Sequence, residues 1–139
     1  MLDNDSPVQP PKRRVATILV VDDEPTIAEF VAVVLQREGH RVLQAEHGPQ
    51  ALKLFALEPH AIDLVVTDVS MPVMDGVEFA RHIANLRSGV PFIFMTGHAN
   101  LGDVSDLCPQ PRFLRKPFVR PDIVRTVAET LAAHCPDPA

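Results

Sequence analysis

Three runs of the chain, ATILVV (16–21), IDLVVT (62–67) and VPFIFM (90–95), are short, nearly continuous in apolar side chains and rich in β-branched residues. A strand that is apolar at successive positions has no polar face to turn to water. It belongs in a parallel sheet covered on both sides. Two lesser runs complete a set of five: RVLQA (41–45), whose alternation suits an edge, and RFLR (112–115).

Amphipathic stretches separate these runs. Ile27, Phe30, Val31, Val34 and Leu35 recur at the spacing of a helical stripe behind Pro25, and Gly39 ends that helix. Gly48-Pro49 opens a second helix with Ala51, Leu52, Leu54 and Phe55 inward, and Pro59 closes it. A third begins near Gly76 and turns Val77, Phe79, Ala80, Ile83 and Leu86 inward, until Ser88-Gly89 breaks it. The last begins at Pro121 and buries Ile123, Val124, Val127, Ala128 and Leu131. Residues 100–111 carry Gly102, Pro109 and Pro111 and form at most one or two helical turns. Strand–helix alternation of this kind predicts an α/β fold with a doubly wound, five-stranded parallel sheet. The expected order is 2-1-3-4-5, flavodoxin-like, with a shortened or broken fourth helix.

The length, 139 residues, fits one domain, expected over 15–134 between tails at 1–14 and 135–139. A net charge of −5 gives no basic footprint for nucleic acid, and direct DNA binding is not expected. No apolar run approaches the roughly 18 residues of a membrane helix, and the first residues, MLDNDSPVQPPKRR, lack the apolar segment of a secretory signal. Cys108 and Cys135 form no metal-ligand pattern and read as free cytosolic thiols. A cytoplasmic protein is the expectation. Lys12-Arg13-Arg14 reads as part of a solvated tail.

In the expected order, the carboxyl ends of strands 1, 3, 4 and 5 lie within about 14 Å of one another. Strand 1 ends in Asp22-Asp23, strand 3 in Asp68, strand 4 in Thr96 and strand 5 in Lys116. Ligands of open α/β sheets bind at this edge. A lone aspartate at a strand end is often only a turn cap, but three carboxylates together repel unless they are protonated or hold a cation. Oxygen ligands suit Mg²⁺, and no His or Cys is placed to favour zinc. A cation beside Lys116 would attract a phosphoryl group, with Asp68 as the nucleophile and Thr96 as a hydroxyl able to bond the new phosphoryl oxygen.

ILVVDDEP, VVTDVSMPVMDG, MTG and FLRKPF resemble, in order and spacing, the receiver domain of two-component response regulators. The resemblance spans roughly residues 15–134. It implies that Asp68 is the phosphoacceptor, and that Asp23 binds Mg²⁺ directly and Asp22 through water. It further implies that Ser70 lends a backbone carbonyl to the metal, that Thr96 is the switch hydroxyl, and that Lys116 binds phosphate before a cis bond to Pro117. Phe113 stands where the family keeps an aromatic rotamer switch; a plain core phenylalanine is the other reading. The implied donors are phosphohistidines of a sensor histidine kinase or a histidine phosphotransfer protein. The implied output is contact with a downstream protein or relay of the phosphate, without turnover of a separate substrate. His98 and Ser70 at the mouth are candidates for modulating the hydrolytic water, although His98 also reads as a simple exposed loop residue. Met71 and Met74 read as packing of the turn.

Two features depart from the family pattern: the broken segment at 100–111, seen in some receivers attached to sensor kinases, and the lack of an output domain after the last helix. Three other readings compete. A haloacid-dehalogenase-like phosphatase would use Asp68 and Mg²⁺, but it places a second acid where Ser70 stands. A flavodoxin-like nucleotide binder wants a Gly/Ser/Thr-rich loop where DDEP stands. A phosphate-independent pseudo-receiver would not need Asp22, Asp23, Asp68, Thr96 and Lys116 together.

Overall fold

Side chains on successive residues of a strand point to opposite faces, and here both faces are apolar. The computed structural model, which describes residues 15–97 and 110–133, accordingly has helices on both sides of one sheet. Its elements are β1 (Thr17–Val21), α1 (Pro25–Arg37), β2 (Arg41–Ala45), α2 (Gly48–Leu57), β3 (Leu64–Asp68), α3 (Gly76–Leu86), β4 (Phe92–Thr96), β5 (Arg112–Arg115) and α4 (Arg120–Ala133). The strands run parallel in the order β2-β1-β3-β4-β5. The expected doubly wound, flavodoxin-like fold is therefore the observed one. The proposed broken fourth helix, His98 and both tails fall outside the described residues.

The sheet separates two cores. Ile18, Val20, Leu64, Val66, Ile93, Met95 and Leu114 meet α1 and α4 through Val31, Leu35, Ile123, Val127 and Leu131. Leu19, Val21, Val65, Phe92 and Phe94 meet α2 and α3 through Ala51, Phe55, Phe79 and Ile83. β3 and β4 are buried along their whole length, as continuous apolarity requires. Local chemistry sets the helix ends. Pro25 occupies the first turn of α1, His47 Nδ1 accepts from the Gln50 N–H at the start of α2 (3.2 Å), and Asp75 Oδ1 accepts from the Glu78 N–H at the start of α3 (2.8 Å). Beyond α3, Arg87 Nη1 donates to the carbonyls of Pro59 (2.8 Å) and Ile62 (2.6 Å), tying the α2–β3 connection down.

Several expected positions move. The third strand begins two residues later than expected and ends one residue later, because its pairing with β4 continues through Asp68 opposite Met95. Phe30, Leu86 and Ala128 are exposed rather than inward. In α4 the buried stripe is Ile123, Thr126, Val127, Thr130 and Leu131, a strict 3/4 spacing from which Ala128 falls away. Two threonines occupy positions an apolar count overlooks, and Thr130 Oγ1 satisfies itself by donating to the Thr126 carbonyl (2.7 Å).

Candidate functional site

The site is built from strand ends. Asp22 follows β1 directly and is fully buried, its N–H donating to the Ala45 carbonyl (3.2 Å) and its Oδ1 accepting from the Glu24 N–H (2.9 Å). Asp23 beside it is exposed. Asp68, the last residue of β3, is 5% exposed. Its neighbourhood is closed by Gly76, whose N–H donates to the Val69 carbonyl (2.8 Å). A Cβ on Gly76 would run into the Asp68 carbonyl oxygen and come within 2.9 Å of Val69 Cα, so the backbone approach admits no side chain. Thr96 ends β4 and is buried, and its carbonyl accepts from the Lys116 N–H (2.8 Å). The Lys116–Pro117 peptide bond is cis.

Lys116 Nζ reaches Asp68 Oδ1 at 3.2 Å, Asp22 Oδ2 at 3.3 Å and Glu24 Oε1 at 3.7 Å. Carboxylate oxygens of Asp22, Asp23 and Asp68 lie within 4.8 Å of one another. Burial pushes the Asp22 carboxyl up to about 6, aided by the charge of Asp68 and opposed by the Glu24 N–H and by Lys116. Burial also raises Asp68, with Lys116 pulling the other way and Asp23 adding to the rise. For Lys116 burial works against the ammonium, yet the charges of Asp22 and Asp68 outweigh it and the net shift is upward. Mutually repelling oxygen donors, two of the three buried and with no nitrogen or sulfur among these three, fit a small hard cation. Asp23, Glu24, Asp68, Ser70, Gly97 and Lys116 line an open cavity of about 450 Å³. On its other side Lys116 borders an apolar groove of about 530 Å³ with Thr26, Ile27, Phe30, Pro117 and Phe118.

The family model for the response regulator receiver domain matches residues 18–128. The chain belongs to that family. Among curated relatives it is 31% identical over 118 residues to the response regulator receiver protein CpdR of Brucella abortus, covering 84% of this chain and 97% of CpdR. It is 30% identical over 123 residues to the transcriptional regulatory protein GlrR of Escherichia coli, covering 87% of this chain but only 27% of GlrR. Among solved structures, the response regulator TrrA of Thermotoga maritima in complex with Mg²⁺-BeF matches with a TM-score of 0.74 and 32% identity, over 84% of this chain and 100% of that one.

In this receiver domain Asp22, Asp23, Asp68, Thr96 and Lys116 all stand at one edge of the sheet, as their strand ends predicted. Ser70 is exposed in the cavity wall. Phe113 is 48% exposed and stacks on Phe94 at a centroid distance of 5.9 Å, so the plain-core reading does not hold. Met71 and Met74 pack into the α2–α3 core, with Met74 against Gly48. Glu24, Gly97 and Gly76 were not anticipated. The DDE run marks Glu24 as acidic, but no local pattern announces a partner in Lys116, just after β5.

Proposed function

We propose that this receiver domain is a phosphoryl-accepting switch of a two-component phosphorelay. Asp68 takes a phosphoryl group from the phosphohistidine of a sensor histidine kinase or histidine phosphotransfer protein. An Asp68 carboxylate oxygen forms a bond to phosphorus, and the phosphorus–nitrogen bond of the donor breaks, leaving its electron pair on the imidazole. The observation carrying this reading is Asp68 at the end of β3, 3.2 Å from Lys116 and within 4.8 Å of two further carboxylates.

Asp22, Asp23, Asp68 and the Ser70 carbonyl are the groups that would hold Mg²⁺, which supplies positive charge to offset that of the transferring phosphoryl oxygens. Lys116 supplies a second positive charge from the β5 side. Thr96, buried at the end of β4, is the hydroxyl that follows the new phosphoryl oxygen, and Phe113 on the neighbouring strand is the aromatic group that responds. The apolar groove gives a protein donor a surface continuous with the cavity, because Lys116 borders both. Output is protein contact or onward relay of the phosphate, in the cytoplasm, without turnover of a separate substrate. None of the helices among the described residues is long and apolar enough to cross a membrane.

Intact mass after incubation with acetyl phosphate and Mg²⁺ tests the reading. A gain of one phosphoryl mass is expected, absent without Mg²⁺ and absent in Asp68→Asn. Wild-type protein that gains no mass at saturating donor would instead be a phosphate-independent binding module.

A further inference from the structure

Glu24 occupies the position that should cap α1, yet its side chain makes no capping hydrogen bond. It turns toward Lys116 instead, with Oε1 3.7 Å from Nζ. Its main chain is fixed, because the Glu24 N–H donates to Asp22 Oδ1 at 2.9 Å. The side chain is 61% exposed and lines the cavity that Asp68 opens into. An exposed pair of this kind contributes little to stability, so the fold does not need it. Nor is Glu24 part of the carboxylate cluster suited to a cation, which comprises Asp22, Asp23 and Asp68. Its charge is left over on the wall of the open cavity that Asp68 lines, close to where a phosphoryl donor would approach Asp68.

Two consequences follow. A donor brings negative charge toward a carboxylate held in place. In addition, Lys116 must turn its ammonium from Glu24 to the phosphoryl oxygens, so the donor competes with Glu24 for the same cation. Both costs grow with the charge on the donor.

We propose that Glu24 is a specificity-determining residue: by holding Lys116 and placing a negative charge at the cavity mouth, it slows phosphorylation of Asp68 in proportion to the negative charge of the donor, and so disfavours free acyl phosphates. The inference rests on the phosphoacceptor reading above. In each transfer an Asp68 oxygen bonds to phosphorus. With acetyl phosphate the phosphorus–oxygen bond breaks and acetate leaves with the electron pair. With phosphoramidate the phosphorus–nitrogen bond breaks, and the departing ammonia takes a proton from water.

The test compares wild type, Glu24→Gln and Glu24→Asp, with Mg²⁺ present, by timed intact-mass measurement. The probes are dianionic acetyl phosphate and phosphoramidate, whose ammonium cancels one charge. Glu24→Gln is expected to raise the low-concentration rate constant for acetyl phosphate by about 3- to 10-fold. For phosphoramidate the gain should be less than about half that factor. The gain with acetyl phosphate shrinks as salt is raised, and Glu24→Asp, which keeps the charge, stays close to wild type. Melting temperature shifts by no more than about 2 °C, since an exposed side chain is changed. If Glu24→Gln alters both donors by one factor or neither at all, the charge gate is wrong while the acceptor reading stands. If wild type accepts phosphoryl from neither probe, the acceptor reading fails and the gate falls with it.

Discussion

Val73 sits at a backbone conformation that β-branched residues avoid. Its φ is 72°, and the Met74 N–H donates to the Pro72 carbonyl across it at 2.7 Å, the hydrogen bond of a three-residue γ-turn. The side chain recovers nothing by burial, since Val73 is 88% exposed. A left-handed conformation costs an L-residue roughly 1–2 kcal/mol, and glycine returns about 0.5–1 kcal/mol of that through unfolded-state entropy. Val73→Gly is therefore expected to stabilise the domain by about 0.5–1 kcal/mol in urea denaturation. A loss instead would show that the valine side chain is engaged. Nothing in the sequence betrays this strain, because valine is an ordinary residue until its φ is known. Asp22, Asp68, Thr96 and Lys116 were legible for the opposite reason: each stands at the carboxyl end of a strand segment, directly after the apolar run for Asp22 and Thr96 and one polar residue later for Asp68 and Lys116. Glu24 was visible as an acid but not as a partner of Lys116, because contacts between segments leave no local pattern. The same is true of the Lys116–Asp22 pair, separated by 94 positions.

At the scale of elements, the junction of β3 and α3 is the tightest point near the site. Gly76 opens α3 against the backbone of Asp68 and Val69. Gly76→Ala forces that backbone apart and is expected to cost about 1–3 kcal/mol, the range for overpacking a closed site. Because the displaced atoms belong to Asp68, Mg²⁺-dependent mass gain should fall by more than the unfolded fraction accounts for. A variant that loses stability but keeps the wild-type rate per folded molecule would separate the two effects. The elements themselves were readable because strands buried on both faces are written as unbroken apolar runs. The helices were less sharply drawn. Phe30 and Leu86 lie at the edge of their stripes, where an apolar side chain and an exposed position coexist, and Thr126 and Thr130 fill core positions that hydrophobicity alone gives away. Composition could not settle these cases, since burial there depends on which neighbour the helix meets.

For the whole molecule, the sheet concentrates acid at one edge, and that sets how stability responds to pH. The Asp22 carboxyl, near 3.8 when unperturbed, lies at about 6 in the fold. A raised folded value means that protonation favours the native state: the contribution is complete below the unfolded value and is lost as pH rises through about 6. Asp68 shifts the same way. Lys116 is also raised, from 10.5, so its contribution is present throughout the acid and neutral range and is lost only in strong alkali. At about 1.4 kcal/mol per unit, the Asp22 contribution is capped near about 3 kcal/mol. In metal-free buffer, wild type compared with Asp22→Asn should therefore lose relative stability between about pH 4 and 7. Adding Mg²⁺ at neutral pH should raise the wild-type melting temperature and remove most of that slope, since cation and proton compete for the same oxygens. Urea denaturation at several pH values, with and without the ion, measures both.

The strand order also has a consequence for how the protein is made. β1 and β3 lie side by side and bring Asp22 and Asp68 together, but Lys116 comes after β5, the last strand of the sheet. Translation delivers segments from the N-terminus onward. While residues 69 to 115 are being made, the nascent polypeptide thus carries both aspartates without the ammonium that pairs with them. The residue translated late is the cation paired with both aspartates, so a half-made chain lacks the group proposed above to meet the phosphoryl oxygens.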